Sequence, residues 1–316
     1  MAKNGKDFYG PSAFGVIRHR NVLPLVILFF SAIVTFFLAA CGGQASSPAG
    51  STPASTVPAI PAITIKAMDF SFDQPKSLPA GLVDVTLFNN GKSEHQLQIV
   101  RINDGVSYDQ FYTALKDSFQ KNDLKVFSMV TFFGGANALK PGQSQEVILN
   151  LTQGNYVAVC VISGADNVPH FMKGMITQFT VSGAATTQVQ PPKEDGTILL
   201  KDFSFVLPQS LPSGPVTLKV TNQGPQAHEM DIVKLTQGKT IEDLKKLLNS
   251  PSASQEGPPP SWIEDAGGMA GLQLGSSAWI KLNLQPGNYA ALCFFPDPKT
   301  GQPHFMKGMI GSFKVQ

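Results

Sequence analysis

The chain is poor in charge, in histidine and in cysteine. Charged residues make up 15% of its 316 residues, and 24 Lys+Arg against 22 Asp+Glu leave a net charge of +2. Even that excess is local. Lys3, Lys6, Arg18 and Arg20 stand against only Asp7 in the first forty residues, which leaves 20 basic against 21 acidic residues beyond them. The balance argues against nucleic acid as a partner, because phosphate binding needs a clustered basic surface. Three cysteines are too few for a disulfide scaffold. No G-x-S-x-G elbow appears, which argues against a hydrolase of that type. The Gly-rich pieces FFGGANALKPG and DAGGMAGLQLG lack the context of a phosphate cradle. Hydrophobic residues, by contrast, are 42% of the chain, enough for real cores, and the length suggests two domains.

One long apolar run is present, Asn21 to Ala40 (NVLPLVILFFSAIVTFFLAA), preceded by basic residues and ending Leu38-Ala39-Ala40-Cys41. A charged start, an apolar stretch and small residues before a cut site describe an export signal. The L-A-A-C ending resembles the lipobox of bacterial lipoproteins, which implies cleavage before Cys41 and lipid on its thiol. The alternative is an uncleaved membrane helix, since about 20 apolar residues span a bilayer. Either way the rest of the chain is expected at the cell membrane, facing outside the cytoplasm. Residues 41–62 are rich in small residues and proline and carry no charge, a flexible tether.

The remainder repeats itself. DFSFDQPKSLPAG (69–81) returns as DFSFVLPQSLPSG (202–214), GNYVAVC (154–160) as GNYAALC (287–293), and PHFMKGM occurs at 169–175 and 303–309. The offset is 133 residues up to the cysteine and 134 after it. The expected organisation is therefore a signal over 1–40, a lipid-anchored tether over 41–62, one domain over 63–183, a linker over 184–194 and a second domain over 195–316.

Strand signals dominate each copy. LVDVTLFNN, HQLQIVRI, QEVILNL, NYVAVCVI and TQFTVS are short, β-branched or alternating, and bounded by turn residues. Short strands at such spacing predict a sandwich or barrel. One helix interrupts each copy. Ser107 to Gln110 opens the first and Thr240 to Asp243 the second, both resembling N-terminal capping patterns.

Past residue 40 the chain keeps four histidines, His95, His170, His228 and His304, and two cysteines besides Cys41, Cys160 and Cys293. Alternation puts His95, Leu97 and Ile99 on the apolar face of a strand and the glutamines on the other. His228, Met230 and Ile232 repeat this, with Glu229 and Asp231 opposite. Tyr156, Ala158 and Cys160 share a face, as do Tyr289, Ala291 and Cys293. A buried imidazole needs a partner or a metal. Taken singly, such a His or Cys is a core residue; two of each in register point to a ligand set.

The segments Asn89–His95, Gly154–Cys160 and His170–Met175, repeated as Asn222–His228, Gly287–Cys293 and His304–Met309, resemble the cupredoxins, the blue-copper fold. The resemblance implies an all-β chain of two tandem cupredoxin-like Greek-key sandwiches, each with a short inserted helix. It implies one copper per domain, held by His95, Cys160, His170 and Met175 in the first and by His228, Cys293, His304 and Met309 in the second. Two imidazoles, a thiolate and a thioether suit copper in both redox states, although zinc accepts the same His and Cys ligands. The Cys-to-His interval, nine residues in one copy and ten in the other, is longer than is usual in that family. The alternative is a sandwich whose cysteine is core.

The function expected is that of a lipid-anchored extracytoplasmic copper-binding protein, for electron transfer with a redox partner protein or for copper holding. The alternative is a non-metal binding or structural lipoprotein module. An enzyme is not expected: multicopper oxidases and copper nitrite reductases need further histidines, and all four past residue 40 are assigned.

Overall fold

A computed structural model describes residues 58–184, 189–250 and 260–316. The export segment, Cys41 and the tether up to residue 57 lie outside the described residues, as do positions 185–188 of the linker. No helix among the described residues is long and apolar enough to cross a membrane.

The fold is all-β, two tandem sandwiches of one plan. The first copy contributes β1 (Ala62–Met68), β2 (Ser71–Asp73), β3 (Ser77–Pro79), β4 (Gly81–Asn89), β5 (Gln98–Ile102), β6 (Val130–Phe132), β7 (Ser144–Leu151), β8 (Gly154–Val159) and β9 (Ile176–Ser182). The second contributes β10 (Gly196–Lys201), β11 (Ser204–Val206), β12 (Ser210–Leu211), β13 (Gly214–Asn222), β14 (His228–Leu235), β15 (Ile263–Leu272), β16 (Ser277–Leu284), β17 (Gly287–Leu292) and β18 (Ile310–Val315). Strands β3-β9-β8-β5-β6 form one five-stranded sheet and β12-β18-β17-β14-β15 its counterpart. The remaining strands form a single eight-stranded sheet, β11-β10-β13-β16-β7-β4-β1-β2, that runs through both copies.

Period-two patterning explains the layers. Along β4, Val83, Val85 and Leu87 are fully buried while Leu82, Asp84 and Thr86 between them are half-buried. Each fully buried aliphatic side chain contributes roughly 1.5–3 kcal/mol by leaving water. Tyr156 and Tyr289 each donate a hydroxyl hydrogen bond, 2.8 Å, to the carbonyls of Thr152 and Gln285, tying down the turns that precede β8 and β17.

Among the described residues three helices interrupt the strands: α1 (Tyr108–Lys121) and the one-turn α2 (Val126–Met129) in the first copy, where one helix was expected, and α3 (Ile241–Leu248) in the second. Both predicted caps form. Ser107 Oγ accepts from the Gln110 N–H while Gln110 Oε1 accepts from the Ser107 N–H. Thr240 and Asp243 do the same for α3. Each box is worth about 1 kcal/mol. Helix α1 lays Phe111, Ala114 and Leu115 against Val100, Val157 and Val159, the outer face of the first five-stranded sheet.

The copies are joined by backbone. In the shared sheet β16 pairs with β7, Ile280 opposite Val147. The Gly-rich pieces form a second seam: Gly134 N–H bonds the Gly271 carbonyl at 2.9 Å and Ala270 N–H the Gly135 carbonyl at 3.0 Å. A side chain at Gly135, where φ is +135°, would run into the Leu97 carbonyl at 1.8 Å, so the close approach requires glycine. Glutamine side chains close the seam. Gln98 Nε2 donates to the Gly271 carbonyl and Gln145 Nε2 to that of Gly268. The face expected to carry polar residues outward is thus buried too: Gln96, Gln98 and Glu229 are each under a tenth exposed, because one copy covers the other.

Candidate metal centres

Folding brings His95, Cys160 and His170 together, and His228, Cys293 and His304 likewise; in each set one donor atom per residue lies within 4.8 Å of the others. The histidine at the head of the set follows a turn built around Asn89 or Asn222. Asn89 Nδ2 donates to the carbonyls of Ser93 and Leu139, and Asn222 Nδ2 to those of Gln226 and Leu272. His95 is anchored by backbone bonds to Leu139 in both directions, and His228 opens β14. Each cysteine lies one residue past the end of β8 or β17.

The long Cys-to-His loops fold back on themselves. The His170 N–H bonds the Ile162 carbonyl and the Phe171 N–H that of Cys160, while Cys160 N–H bonds the Met175 carbonyl. The second copy repeats this with His304 to Phe295, Phe305 to Cys293 and Cys293 to Met309. Each loop then makes a short 3-10 turn, 170–173 or 304–307, stopped by Gly174 or Gly308 at positive φ. The extra loop length therefore leaves the sulfur and the second imidazole side by side. Met175 and Met309 are fully buried next to them in the ladder; the close-set donor groups themselves comprise the His and Cys residues. The two cysteines are free thiols.

In the first centre, His95 Nδ1 faces His170 Nδ1 at 3.2 Å, and the Cys160 Sγ is 3.6 Å from His170 Nδ1. In the second, the Nδ1 atoms are 2.9 Å apart and the Cys293 Sγ lies 3.4 Å from His304 Nδ1. A backbone N–H, of Gln96 or Glu229, points at each sulfur from 3.4 Å. All six ligand-type side chains are at most 1% exposed.

Two residues overlooked in the sequence orient these rings. Asp69 Oδ1 lies 2.8 Å from His95 Nε2, and Asp202 Oδ1 lies 2.6 Å from His228 Nε2. A carboxylate accepts the Nε2 proton, so Nδ1 keeps its lone pair toward the cluster, the arrangement that fixes a metal-binding tautomer. The signal was present: Asp-Phe-Ser-Phe is identical in the two copies, at 69–72 and 202–205. Phe70 and Phe203 follow the aspartates and pack 4.6 and 4.9 Å from the His170 and His304 rings. The Asp–His contact also explains a glycine in each turn. A Cβ on Gly91 would lie 2.5 Å from Asp69 Oδ1 and 2.7 Å from His95 Nε2, and Gly224 is placed alike.

Electrostatics keep the groups neutral while no metal is bound. Burial, then the neighbouring His95, pushes His170 down to about 4, and burial with His228 pushes His304 down to about 3. Burial pushes the Cys160 thiol up to about 12 and Cys293 upward as well. Asp69 stays below its usual value: burial works against it, but N–H groups of Lys92 and Ser93 and the His95 ring outweigh burial.

The donor set fits copper, one site in each copy. The second centre makes the test sharpest. His304 Nε2 is 3.0 Å from Gln226 Oε1, while the Gln226 amide nitrogen lies 3.3 Å from Asp297. That network directs the Gln226 oxygen at His304, so His304 also carries its proton on Nε2. Both Nδ1 lone pairs then face each other with no proton between them, beside a sulfur. A cation is what such an arrangement accommodates. Two imidazoles with a soft thiolate are the donors copper takes in both oxidation states.

No family model matches the chain, and no curated protein matches it. Solved structures do. Reduced auracyanin from the photosynthetic bacterium Roseiflexus castenholzii is 20% identical, with 40% of this chain covering 99% of that one at a TM-score of 0.28. A multicopper oxidase is 15% identical, with 81% of this chain covering 88% of that one at 0.24. A Cu-containing nitrite reductase from Thermus scotoductus is 13% identical, with 81% of this chain covering 61% of that one at 0.22. These are likenesses of fold. They also correct one expectation. Two of the neighbours that span both copies are enzymes, which overturns the reading of this chain as a non-enzyme. A histidine count does not carry that exclusion, because fold does not fix function.

Proposed function

We propose that the protein is a lipid-anchored extracytoplasmic copper protein that passes electrons, with one copper in each copy. The observation that carries this reading is the second centre, where Asp202 and Gln226 direct two imidazole lone pairs at one buried point beside the Cys293 sulfur. His95, Cys160 and His170 hold the metal in the first copy and His228, Cys293 and His304 in the second, with Met175 and Met309 as weak thioether ligands. Bound copper would supply a one-electron couple.

The chain's own part is to give that couple a geometry that does not change. Asp69 and Asp202 hold the first imidazoles, Phe70 and Phe203 pack on the second, and backbone N–H groups of Gln96 and Glu229 steady the sulfurs. Closed burial excludes water from the donors. Electron transfer is favoured over copper holding by that burial, since ligands at most 1% exposed suit a resident metal better than one to be handed on. The apolar run and the lipobox-like ending at Cys41 support a position at the outer face of a membrane, where a redox partner protein would meet it.

The test is metal analysis with a visible spectrum on the full chain. Two coppers per chain and an intense thiolate-to-copper absorption band that bleaches on reduction are expected. A colourless protein that takes up no copper would reject the reading.

A further inference from the structure

None of the six ligand-type side chains reaches solvent, so an electron bound for either centre must cross a group that is not a ligand. In each copy one ring stands against both imidazoles. Phe70 lies 4.6 Å from the His170 ring and 6.1 Å, edge-on, from that of His95. Phe203 repeats this at 4.9 Å from His304 and 6.4 Å from His228. Both phenylalanines are half-buried. A lysine sits on each: Lys173 Nζ is 4.6 Å from the Phe70 centroid and Lys307 Nζ 4.3 Å from that of Phe203, cation–π contacts both. These lysines are partly exposed and paired with Asp166 and Asp297. The order imidazole, phenylalanine, ammonium is thus the same in the two copies. Other neighbours serve less well. Asp69 and Asp202 touch one imidazole each. Phe295 nears His304 at 6.2 Å, but its ring packs on Phe127 and Phe132 of the first copy at 5.2 and 5.1 Å. Ile162 takes its place in the first copy, accepting the N–H of His170 as Phe295 accepts that of His304.

We infer that Phe70 and Phe203 are the ports through which electrons enter and leave the two centres, with Lys173 and Lys307 marking where a redox partner meets them. The inference rests on the copper reading and adds the route to it. Tunnelling falls off steeply with the distance between donor and acceptor. A partner set against a ring that already touches both imidazoles therefore has the thinnest cover to cross. The step is one electron: copper(I) becomes copper(II) as a one-electron acceptor is reduced, with no bond made or broken and no proton moved.

Stopped-flow oxidation of the copper(I)-loaded full chain by anionic hexacyanoferrate(III) and by cationic tris(phenanthroline)cobalt(III) tests the assignment, with Cys293→Ser or Cys160→Ser isolating one centre. Reversing charge at the port, by Lys173→Glu or Lys307→Glu, should slow the anion and speed the cation, moving the ratio of the two rates about tenfold. A change in potential acts on both rates in the same direction, so the ratio reports the port. Copper content and the visible band should stay. Lys314→Glu, exposed at the other end of β18, should leave the ratio alone. In the metal-free chain the inert paramagnetic anion hexacyanochromate(III) should broaden the ring protons of Phe70 and Phe203 in the NMR spectrum, and less so after charge reversal. A chain that takes up no copper would overturn the copper reading and the port with it. With copper bound, a ratio unmoved by Lys173→Glu, a ratio moved as far by Lys314→Glu, or unbroadened Phe70 and Phe203 rings would overturn the port alone. Should Lys307→Glu not fold, Lys173→Glu decides, since its partner Asp166 is exposed.

Discussion

The two centres present the same donors inward and differ in what holds them from behind. In the second copy both histidines are clamped at Nε2, His228 by Asp202 and His304 by Gln226. In the first copy only His95 is clamped, and His170 Nε2 is buried without a partner. His170 is therefore free to keep its proton on Nδ1 and donate it to His95 while the metal is absent. The origin is one position. Gln226 stands where the first copy has Ser93, whose short side chain is no counterpart to the Gln226 amide.

The loops follow suit. In the second copy Asp297, 1% exposed, accepts from the N–H groups of Lys299 and Thr300 and pairs with Lys307. In the first, Asp166 pairs with Lys173 from an exposed position, its side chain 56% accessible. Exposed pairs contribute little, about 1 kcal/mol at most. The second site is thus built more rigidly for a metal and leaves its lone pairs more strained against each other when empty. Preorganisation of this kind raises affinity at the expense of the metal-free state.

The largest effects should come from the sulfurs. Cys160→Ser and Cys293→Ser are each expected to remove one copper of the two and half of the visible band, and the double variant both. Retention of the full band in either single variant, measured by metal analysis and absorption, would end the equivalence of the copies. Next come the aspartates. Asp69→Ala and Asp202→Ala release the first imidazole and should weaken their own sites by about 10–100-fold, the usual size of such outer-shell losses. Competition with a copper chelator reads this out.

The comparison itself is broken by exchanging one residue. Gln226→Ala should lower copper affinity of the second site about tenfold and raise the melting temperature of the metal-free protein, because a proton can return between the rings. Ser93→Gln should act in the opposite sense on the first site. If both substitutions leave the two affinities in place, the Nε2 partner is not the source of the asymmetry.

The smallest expected difference is none at all. Near neutral pH both imidazole pairs are neutral, with His170 at about 4 and His304 at about 3, and both thiols are protonated, Cys160 at about 12. Each copper should therefore displace one proton, from sulfur, and affinity should fall about tenfold per unit as pH is lowered. Proton release followed with an indicator dye would show a second proton from either site if an imidazole were charged beforehand.

Much of this was legible in residue order. Identical strings at a constant offset exposed the two copies, and the apolar side of His95-Gln-Leu-Gln-Ile99 put both early histidines inward. The helix caps were readable because capping is local, a bond between residues three apart. The orienting aspartates were not, since Asp69 reaches His95 across 26 positions and nothing in a strand-like Asp-Phe-Ser-Phe marks that distance. The burial of Gln96, Gln98 and Glu229 escaped for a related reason. Alternation distinguishes two faces of a strand and says nothing of whether a second sandwich covers the polar one.

Which side chains were available for a metal, and that there were two matched sets, followed from composition and spacing, because ligand chemistry is a property of residue types. Their meeting point, the tautomers they are held in, and the phenylalanine set against each pair of rings arose only on folding. Those features depend on contacts between strands far apart in the chain, above all the ladder that makes one sheet of two halves.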